Sequence, residues 1–154
     1  AIYFQDPVEM AATGTITVAA AGGVLLGSLN GVFFTDATTS KPTFANHLNA
    51  SNTATDIKGF VTDDPYQRYE VQSDNSGASA QTDIGNVADI VYAAGSSPDY
   101  VSKVELDDSD LATSDGQLKV IGVSRDPENN ELGSANVNFV VTINEHFLKQ
   151  EAGV

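Results

Sequence analysis

The sequence predicts a mainly β protein with one domain, residues 1–154, built as a β-barrel or β-sandwich of about eight short antiparallel strands with long loops. Short runs rich in Val, Ile, Thr and aromatic residues recur along the chain, and clusters of Gly, Pro, Asn, Asp and Ser separate them. No stretch sustains the period of a helix, so we expect at most short helical turns. A chain of 154 residues can bury a core without metals or disulfides.

The composition excludes several kinds of site and partner. Because the sequence has no Cys, it can form neither disulfides nor thiolate metal sites. It carries 7 Lys and Arg against 21 Asp and Glu, a formal net charge of −14. Such a surface repels phosphate, so we expect neither nucleic acid nor membrane as a partner. An acidic soluble protein remains a sufficient alternative explanation of the charge.

The chain begins with a short apolar run, Ala1–Phe4. We interpret residues 1–5 as an N-terminal arm, in which Ile2, Tyr3 and Phe4 contact a neighbouring subunit. The alternative is that the two aromatic residues pair into their own sheet.

A hairpin is predicted next. The run Thr13–Ala19 alternates Thr with Ile and Val, which is the period of a half-buried strand. Gly22-Gly23 is a turn signal, and Val24–Phe34 follows as the second strand. Gly27 and Asn30-Gly31 interrupt its apolar residues, which indicates either a bulge or two short strands.

The stretch Asp36–Asp56 is rich in Thr, Ser, Asn and Ala and poor in large apolar residues. So long a connection in a compact domain is usually functional, and we predict an ordered Ω-like loop with Phe44 as its anchor. Lys41 and Pro42 lie beside this anchor and are, with Phe44, candidate partner-binding residues. A mobile surface loop is the alternative.

The segment Ile57–Val71 reads as a strand, a corner and a second strand. Two β-type runs flank Asp63, Asp64 and Pro65. Pro65 presets φ for a bend, and the carboxylates can accept hydrogen bonds from nearby backbone amides. The sequence therefore predicts a tight corner between two strands at this point.

The C-terminal half predicts further short strands. Residues Thr82–Ala94 fit a single helical turn capped by Thr82 or Asp83 and then a strand, Ala88–Tyr92. We expect residues 145–154 to form a C-terminal tail. The other predicted strands are Val101–Leu106, Gln117–Ser124 and Val137–Ile143.

No motif in the sequence carries catalytic or metal-binding chemistry. The acidic run Asp107–Asp110 begins the alternation of a calcium loop, but Thr113 stands where such a loop needs Gly. His47 and His146 lie far apart in sequence, each without a second His or Cys nearby. No Ser lies in a nucleophile-elbow pattern, and no glycine-rich loop opens a helix. We therefore expect no enzymatic activity, no metal and no cofactor.

An ordered series of short segments through most of the chain resembles a known family. The series is similar to a virion structural protein of marine tailed phages, of the cyanophage type. The resemblance leads us to expect further residues upstream of Ala1. The segments that carry it are GVFFTD at 31–36, KPTF at 41–44, DDP at 63–65, EVQ at 70–72, QTDIG at 81–85, ADI at 88–90 and INEH at 143–146.

The resemblance implies a capsid decoration or cement protein without enzymatic role, located on the outer surface of the capsid. Its expected partner is the major capsid protein, and its expected form is a homotrimer. Two alternatives stay open at this point: a virion surface adhesion module that binds host glycans, and a structural component of the tail or of head completion.

Overall fold

The computed structural model describes residues 1–149, and these residues confirm the predicted mainly β fold. They contain short 3₁₀ turns at Gln81–Asp83 and Phe147–Lys149 and no longer helix. The strands are β1 (Pro7–Met10), β2 (Ile16–Val18), β3 (Leu25–Thr35), β4 (Pro42–Ala45), β5 (Lys58–Thr62), β6 (Arg68–Gln72), β7 (Val87–Ala88), β8 (Ile90–Val91), β9 (Glu105–Leu106), β10 (Leu118–Val123) and β11 (Asn138–Ile143).

These strands form two larger sheets and a small one, and all the named strand pairs are antiparallel. In the first sheet β2 pairs with β1, and β1, β4 and β5 all pair with β3. At Val32 and Phe33, β4 and β5 lie on opposite edges of β3. The second sheet has the order β6-β11-β10-β7, and β8 pairs with β9. The described strands close no barrel, and a sandwich-like arrangement fits them.

Strand β3 is the longest strand and organises the first sheet, because β1, β4 and β5 all pair with it. A bulge shifts its register with β5 between Leu29 and Gly31, as the sequence allowed. Before the bulge, Leu25 and Leu29 are buried; after it, Val32 and Phe34 are buried and Phe33 is exposed. The extra residue therefore reverses which positions face the core.

The apolar core forms two clusters. The smaller contains Val8, Leu29 and Val32 of the first sheet, and the larger contains Phe139 and Val141 of the second sheet together with Leu25 of β3. Burial of these side chains supplies the main favourable free energy of folding.

Gln117 ties the two sheets together with hydrogen bonds from a fully buried side chain. Its Nε2 donates to the carbonyls of Ala20 and Gly23, at 2.8 and 2.6 Å, in the loop between β2 and β3. Its Oε1 accepts from the Ile90 amide at 3.1 Å. Because both polar atoms of the Gln117 side-chain amide have hydrogen-bond partners, its burial leaves no polar group without a partner.

The predicted corner between β5 and β6 is confirmed. Asp64 Oδ1 accepts a hydrogen bond from the Tyr66 amide at 2.8 Å, and the Gln67 amide donates to the Asp64 carbonyl at 3.0 Å. These bonds, with Pro65 between them, make Asp64 the residue that closes the turn.

The predicted turn and strand after Thr82 are present, with two differences. Asp83 caps the 3₁₀ turn from its far end, since its Oδ2 accepts from the Ala80 amide at 2.6 Å, while Thr82 lies inside the turn. The predicted single strand is two, β7 and β8, because Asp89 leaves the ladder and its Oδ1 accepts from the Gln117 amide at 3.1 Å.

The acidic run Asp107–Asp110 is a structural loop. The Ser76 hydroxyl lies 2.6 Å from Asp74 Oδ1 and 3.1 Å from Oδ1 of both Asp107 and Asp108. Burial raises the pKa of Asp74, but hydrogen bonds from Ser76 and the Asp108 amide outweigh it and leave this pKa below its ordinary value. The carboxylates thus hold two loops together.

The expected C-terminal tail needs correction for residues 145–149, and residues 150–154 lie outside the described part. His146 is fully buried and bridges to Leu25 of β3, while the Leu25 amide donates to the Glu145 carbonyl at 2.9 Å. The Leu148 amide donates to His146 Nδ1 at 3.1 Å. This segment is packed because the histidine ring fills space against β3.

Removal of the Asp64 carboxylate should destabilise the corner. We expect Asp64→Ala to lower the free energy of unfolding by about 1 kcal/mol, the value of a lost capping or turn bond. Asp63→Ala is the matched control, since no hydrogen bond from the Asp63 side chain supports the turn among residues 1–149. Urea denaturation measures both, and equal stabilities of the two variants would contradict the assigned role.

Stability should fall in mild acid because of His146. Burial, and then the Lys149 charge, hold the pKa of His146 below its ordinary value of 6.5. Above pH 6.5 the histidine is neutral in both states; as the pH falls below this value, the unfolded chain takes up the proton first and stability declines. The decline continues down to the lowered pKa of the folded state.

We expect His146→Gln to remove this component of the decline, measured by denaturation at several values between about pH 7.5 and pH 5. His47→Gln serves as the control and should keep the decline. An unchanged slope in the His146 variant would show that the loss of stability in acid has another origin.

Candidate functional site

Three phenylalanine side chains lie exposed on the outer side of the first sheet. They are Phe33 of β3, Phe44 of β4 and Phe60 of β5, with exposed fractions of 36%, 66% and 49%. With Lys58 they form a surface that we call the phenylalanine face. Large apolar side chains grouped in this way on a protein surface mark an interaction site more often than isolated ones do.

The register of three adjacent strands brings these side chains together. Phe33 pairs directly with Phe44 on one side and with Lys58 on the other, while Phe60 pairs with Gly31. Directly opposed residues in an antiparallel pair point to the same side of the sheet. The rings of Phe44 and Phe60 are 5.7 Å apart at their centroids, tilted by 42°.

Gly31 makes this arrangement possible. A Cβ atom at this position would lie 2.8 Å from Cζ of Phe44 and 3.0 Å from the Ala45 carbonyl oxygen. The Phe44 ring therefore lies over the backbone of β3, where any side chain would displace it. Because Gly31 has no side chain, the rings of Phe44 in β4 and Phe60 in β5 can meet above β3, although β4 and β5 do not pair with each other.

Two short acidic turns support the rim of the face. Asp36 Oδ1 accepts from the amides of Thr38 and Thr39, and Asp56 accepts from the Thr35 amide and hydroxyl. The Thr39 backbone bond holds the pKa of Asp36 below its ordinary value, and the Thr35 hydroxyl does the same for the pKa of Asp56. Both carboxylates stay charged and hold the loops that flank the face.

The predicted contact residues Lys41, Pro42 and Phe44 lie together at this surface. Pro42 pairs with Thr35, and the Lys41 carbonyl accepts from the Asp36 amide at 2.9 Å. The predicted Ω-like loop over Asp36–Asp56 needs correction, because β4 runs through it and pairs with β3, and Phe44 is not its anchor because its ring is exposed. Leu48 takes that role by packing against the core of the first sheet.

The other predicted contact residues lie within the protein's own fold. Ile2 is buried and pairs with Leu48, with amide to carbonyl distances of 2.9 and 2.8 Å. The Phe4 amide donates to the Tyr100 carbonyl at 3.0 Å. This pairing corrects the expectation of a free N-terminal arm: residues 1–5 find their partners in the same chain.

An aromatic stack reinforces this N-terminal segment. The rings of His47 and Tyr100 are 3.9 Å apart at their centroids and lie within 1° of parallel. Tyr3 lies 6.3 Å from His47 and 6.2 Å from Tyr100 by the same measure. The Tyr3 amide also donates to Asp6 Oδ2 at 2.8 Å, which fixes the turn that leads into β1.

Sequence analysis missed Phe33, Phe60 and Lys58 as surface residues. A usable signal exists, because a bulge at Asn30-Gly31 reverses the parity of β3 and so moves Phe33 to the side opposite Leu25 and Leu29. Strand β5, which pairs with β3, then places Lys58 and Phe60 on the same side as Phe33, two residues apart. The pairing of β5 with β3 itself could not be read from local sequence.

The chemistry of the face is that of binding. It offers three exposed aromatic rings and the ammonium group of Lys58. Among residues 1–149, no group of three or more His, Asp or Glu side chains is placed to hold a metal ion. No helix of that part of the chain has the length and apolar character needed to cross a bilayer.

Comparisons of the chain with protein-family models, with curated proteins and with solved structures find no match. Function therefore has to be argued from the exposed surfaces of the protein.

Alanine substitution should affect stability differently in the two predicted contact segments, the one with Ile2 and the one with Phe44. Ile2→Ala should lower the free energy of unfolding by about 2 kcal/mol, since it empties a buried site. Phe44→Ala should change it by less than about 0.5 kcal/mol, because that ring is already exposed. Thermal and urea denaturation of both variants give the comparison, and a larger loss for Phe44→Ala would reverse the assignment.

Proposed function

We propose that this protein is a capsid decoration protein of a tailed phage, which attaches through its phenylalanine face to the major capsid protein lattice and stabilises the head. The observation that carries the proposal is the set of three exposed phenylalanines on one sheet surface. The resemblance of several segments to a virion structural protein supplies the kind of partner. On this proposal the protein has no enzymatic role and lies on the outer surface of the capsid.

A sheet surface suits attachment to a lattice. Adjacent strands hold the three rings in fixed register, so little conformational freedom is lost when a partner covers them. Aromatic residues contribute strongly at the centre of protein interfaces. Many copies on one shell bind many equivalent sites, so modest affinity at each site is sufficient to stabilise the head.

The distribution of charge also favours attachment through the phenylalanine face. The chain has a formal net charge of −14, and copies placed side by side repel one another. Lys58 lies on the phenylalanine face and Lys41 lies at its rim, two of the 7 Lys and Arg in the sequence. These two lysines offset the charged carboxylates of Asp36 and Asp56 at the rim, so the face carries little net charge where the apolar contact is made. We propose a homotrimer as the attached form.

A second candidate function is a virion adhesion module that binds glycans. The specific observation in its favour is that polar groups adjoin the exposed rings: Asn30 Nδ2 donates to Thr62 Oγ1 at 2.5 Å, next to Phe60 along β5. Sugar rings stack on aromatic faces, while their hydroxyls hydrogen-bond to such amides and alcohols.

Substitution of two rings should abolish attachment. We expect the double variant Phe44→Ser and Phe60→Ser to reduce the copies retained on purified capsid shells by at least about tenfold, because both side chains are interface anchors. Quantitative gel analysis of sedimented shells gives the number of bound copies. Sedimentation velocity of the free protein checks that folding and assembly are unchanged.

Tyr66→Ser is the matched control, because Tyr66 is the most exposed large aromatic among the described residues and lies in the corner between β5 and β6. It should retain the parent's copy number. Equal retention of the double variant and the parent would eliminate the phenylalanine face as the attachment surface. A handful of copies per particle, together with glycan binding lost in the double variant, would favour the adhesion module instead.

A further inference from the structure

Strand β6 presents an unpaired edge. It is the last strand of the second sheet, with β11 on one side and no strand along most of the other. The Ser73 amide donates to the Val137 carbonyl at 2.8 Å, so Ser73 lies opposite Val137 in a hydrogen-bonded pair. Because such pairs alternate in an antiparallel ladder, Tyr69 and Val71 also bond to β11.

The alternate residues Arg68, Glu70 and Gln72 therefore direct their backbone amides and carbonyls away from the sheet. The chain around β9 covers this edge only at its end, where Ser73 bridges to Leu106 and the Asp74 amide donates to the Leu106 carbonyl at 2.9 Å. The Arg68 carbonyl accepts from Gln67 Nε2 at 2.8 Å. The amide and carbonyl of Glu70, at the middle of the edge, have no partner strand among residues 1–149.

The edge faces a cleft of about 560 Å³ between the two sheets. Every residue from Gln67 to Gln72 lines it, with side chains of both parities, as expected when a strand edge forms a wall. The opposite wall carries the polar residues Gln5, Ser28 and Asn30. The floor is apolar and is formed by Leu25, Ile90, Leu118, Val141 and Ile143.

We propose that this cleft binds an extended peptide segment of a partner protein, which adds to β6 as a further strand. A free strand edge recognises another backbone through alternating amides and carbonyls, so the chemistry of the edge specifies an extended chain. The five residues of β6 can pair with a segment of about 17 Å, or roughly five residues.

The cleft also determines the sequence pattern of this segment. Tyr69 and Val71 point inward and are half-buried against the core, whereas Arg68 and Glu70 are exposed. A strand added beside β6 has the same pleat, so every second side chain points to the same side of the sheet as Tyr69 and Val71. The segment should therefore alternate small apolar residues with polar ones.

The cleft suits a single extended chain better than the edge of a second whole domain. A second copy would have to bring its own sheet edge to β6, beside a cleft that Gln5 and Asn30 also line. A single extended chain needs only the width of one strand, about 4.8 Å in the hydrogen-bonding direction. The proposal holds whether or not the phenylalanine face binds a capsid lattice, since it depends on the β6 edge alone.

The test uses the full chain and a capped, uncharged heptapeptide, acetyl-Ser-Val-Thr-Val-Thr-Val-Ser-amide. Amide NMR titration should shift the signals of Arg68, Glu70 and Gln72, and hydrogen exchange at these amides should slow when the peptide is bound. A peptide of the same side chains with alternate amides N-methylated should not bind, because it lacks the donors. Absence of shifts at these amides, or equal binding of the methylated peptide, would overturn the proposal.

Two variants separate backbone from side-chain recognition. Glu70→Pro removes the outward amide and is compatible with an edge strand, whereas Glu70→Ala keeps the amide and removes only the carboxylate. We expect the proline variant to weaken peptide binding at least about tenfold and the alanine variant to stay within about twofold of the parent. Equal affinities for the two variants would overturn the proposal.

Hydrogen exchange of the parent without peptide provides a test that does not depend on any variant folding. The Glu70 amide should exchange rapidly at every protein concentration. Slow exchange in the free monomer would show that the edge is already closed, and protection that grows with protein concentration would show that a second copy occupies it. Either result would overturn the proposal of a peptide site.

Discussion

The bulge in β3 determines which residues of the first sheet reach the solvent. A regular strand keeps one parity on the core side along its whole length. In β3 the buried positions change from Leu25 and Leu29 to Val32 and Phe34, and the register with β5 slips between Leu29 and Gly31. If the same residues formed a regular ladder without the bulge, the parity of Leu25 and Leu29 would continue, and Phe33 would be buried and Val32 exposed. The phenylalanine face therefore depends on the bulge, which lets one sequence bury Leu29 and Val32 on the same side.

Glycine permits the close contacts on which this geometry relies. Gly27 has a φ of 154°, and a Cβ atom there would collide with the Thr62 carbonyl in β5. At Gly31 the missing side chain leaves room for the Phe44 ring. Gly27 precedes the bulge and admits the backbone of β5, whereas Gly31 ends the bulge and admits a ring from β4.

The link between the two sheets depends on polar groups buried at their junction. Gln117 is fully buried and bonds both to the loop that precedes β3 and to the backbone of β8. His146 extends the same junction from the C-terminal side, where it bridges to Leu25. Because a buried amide with all its polar atoms paired has few satisfactory arrangements, Gln117 fixes how the sheets meet. His146 Nε2 is buried without a hydrogen-bond partner among residues 1–149, so this ring contributes by packing.

Sequence pattern predicted local features well and long-range contacts poorly. The fold class, the corner at Asp64 and the irregularity near Asn30-Gly31 follow from turn chemistry and period-two alternation, which act over a few residues. The burial of Ile2 depends on Leu48, and that of His146 depends on Leu25. Such pairings are chosen by the whole fold, so an apolar chain end resembles a free arm until its partner is known.

The same limit explains why Phe44 was expected to anchor its loop and is instead exposed. Alternation in PTFA shows that Pro42 and Phe44 share one side of β4, but the alternation alone cannot say which side faces the core. That choice is made by β3, whose bulge sends Val32 inward and leaves Phe33, the partner of Phe44, outward. The pairing then carries Phe44 to the solvent side, where its ring gains contact with Phe60 instead of core burial.

The net charge of the protein affects how a partner approaches the phenylalanine face and the cleft beside β6. At a formal net charge of −14, any acidic partner or second copy is repelled over roughly one Debye length, about 8 Å at physiological ionic strength. Lys58 reduces that repulsion at the phenylalanine face, and at the cleft beside β6 the charge of Arg68 balances that of Glu70. Both surfaces adjoin at Asn30 and Thr62, where the polar end of the face becomes the wall of the cleft. A partner that covers the rings is therefore also placed to send an extended segment along the open edge.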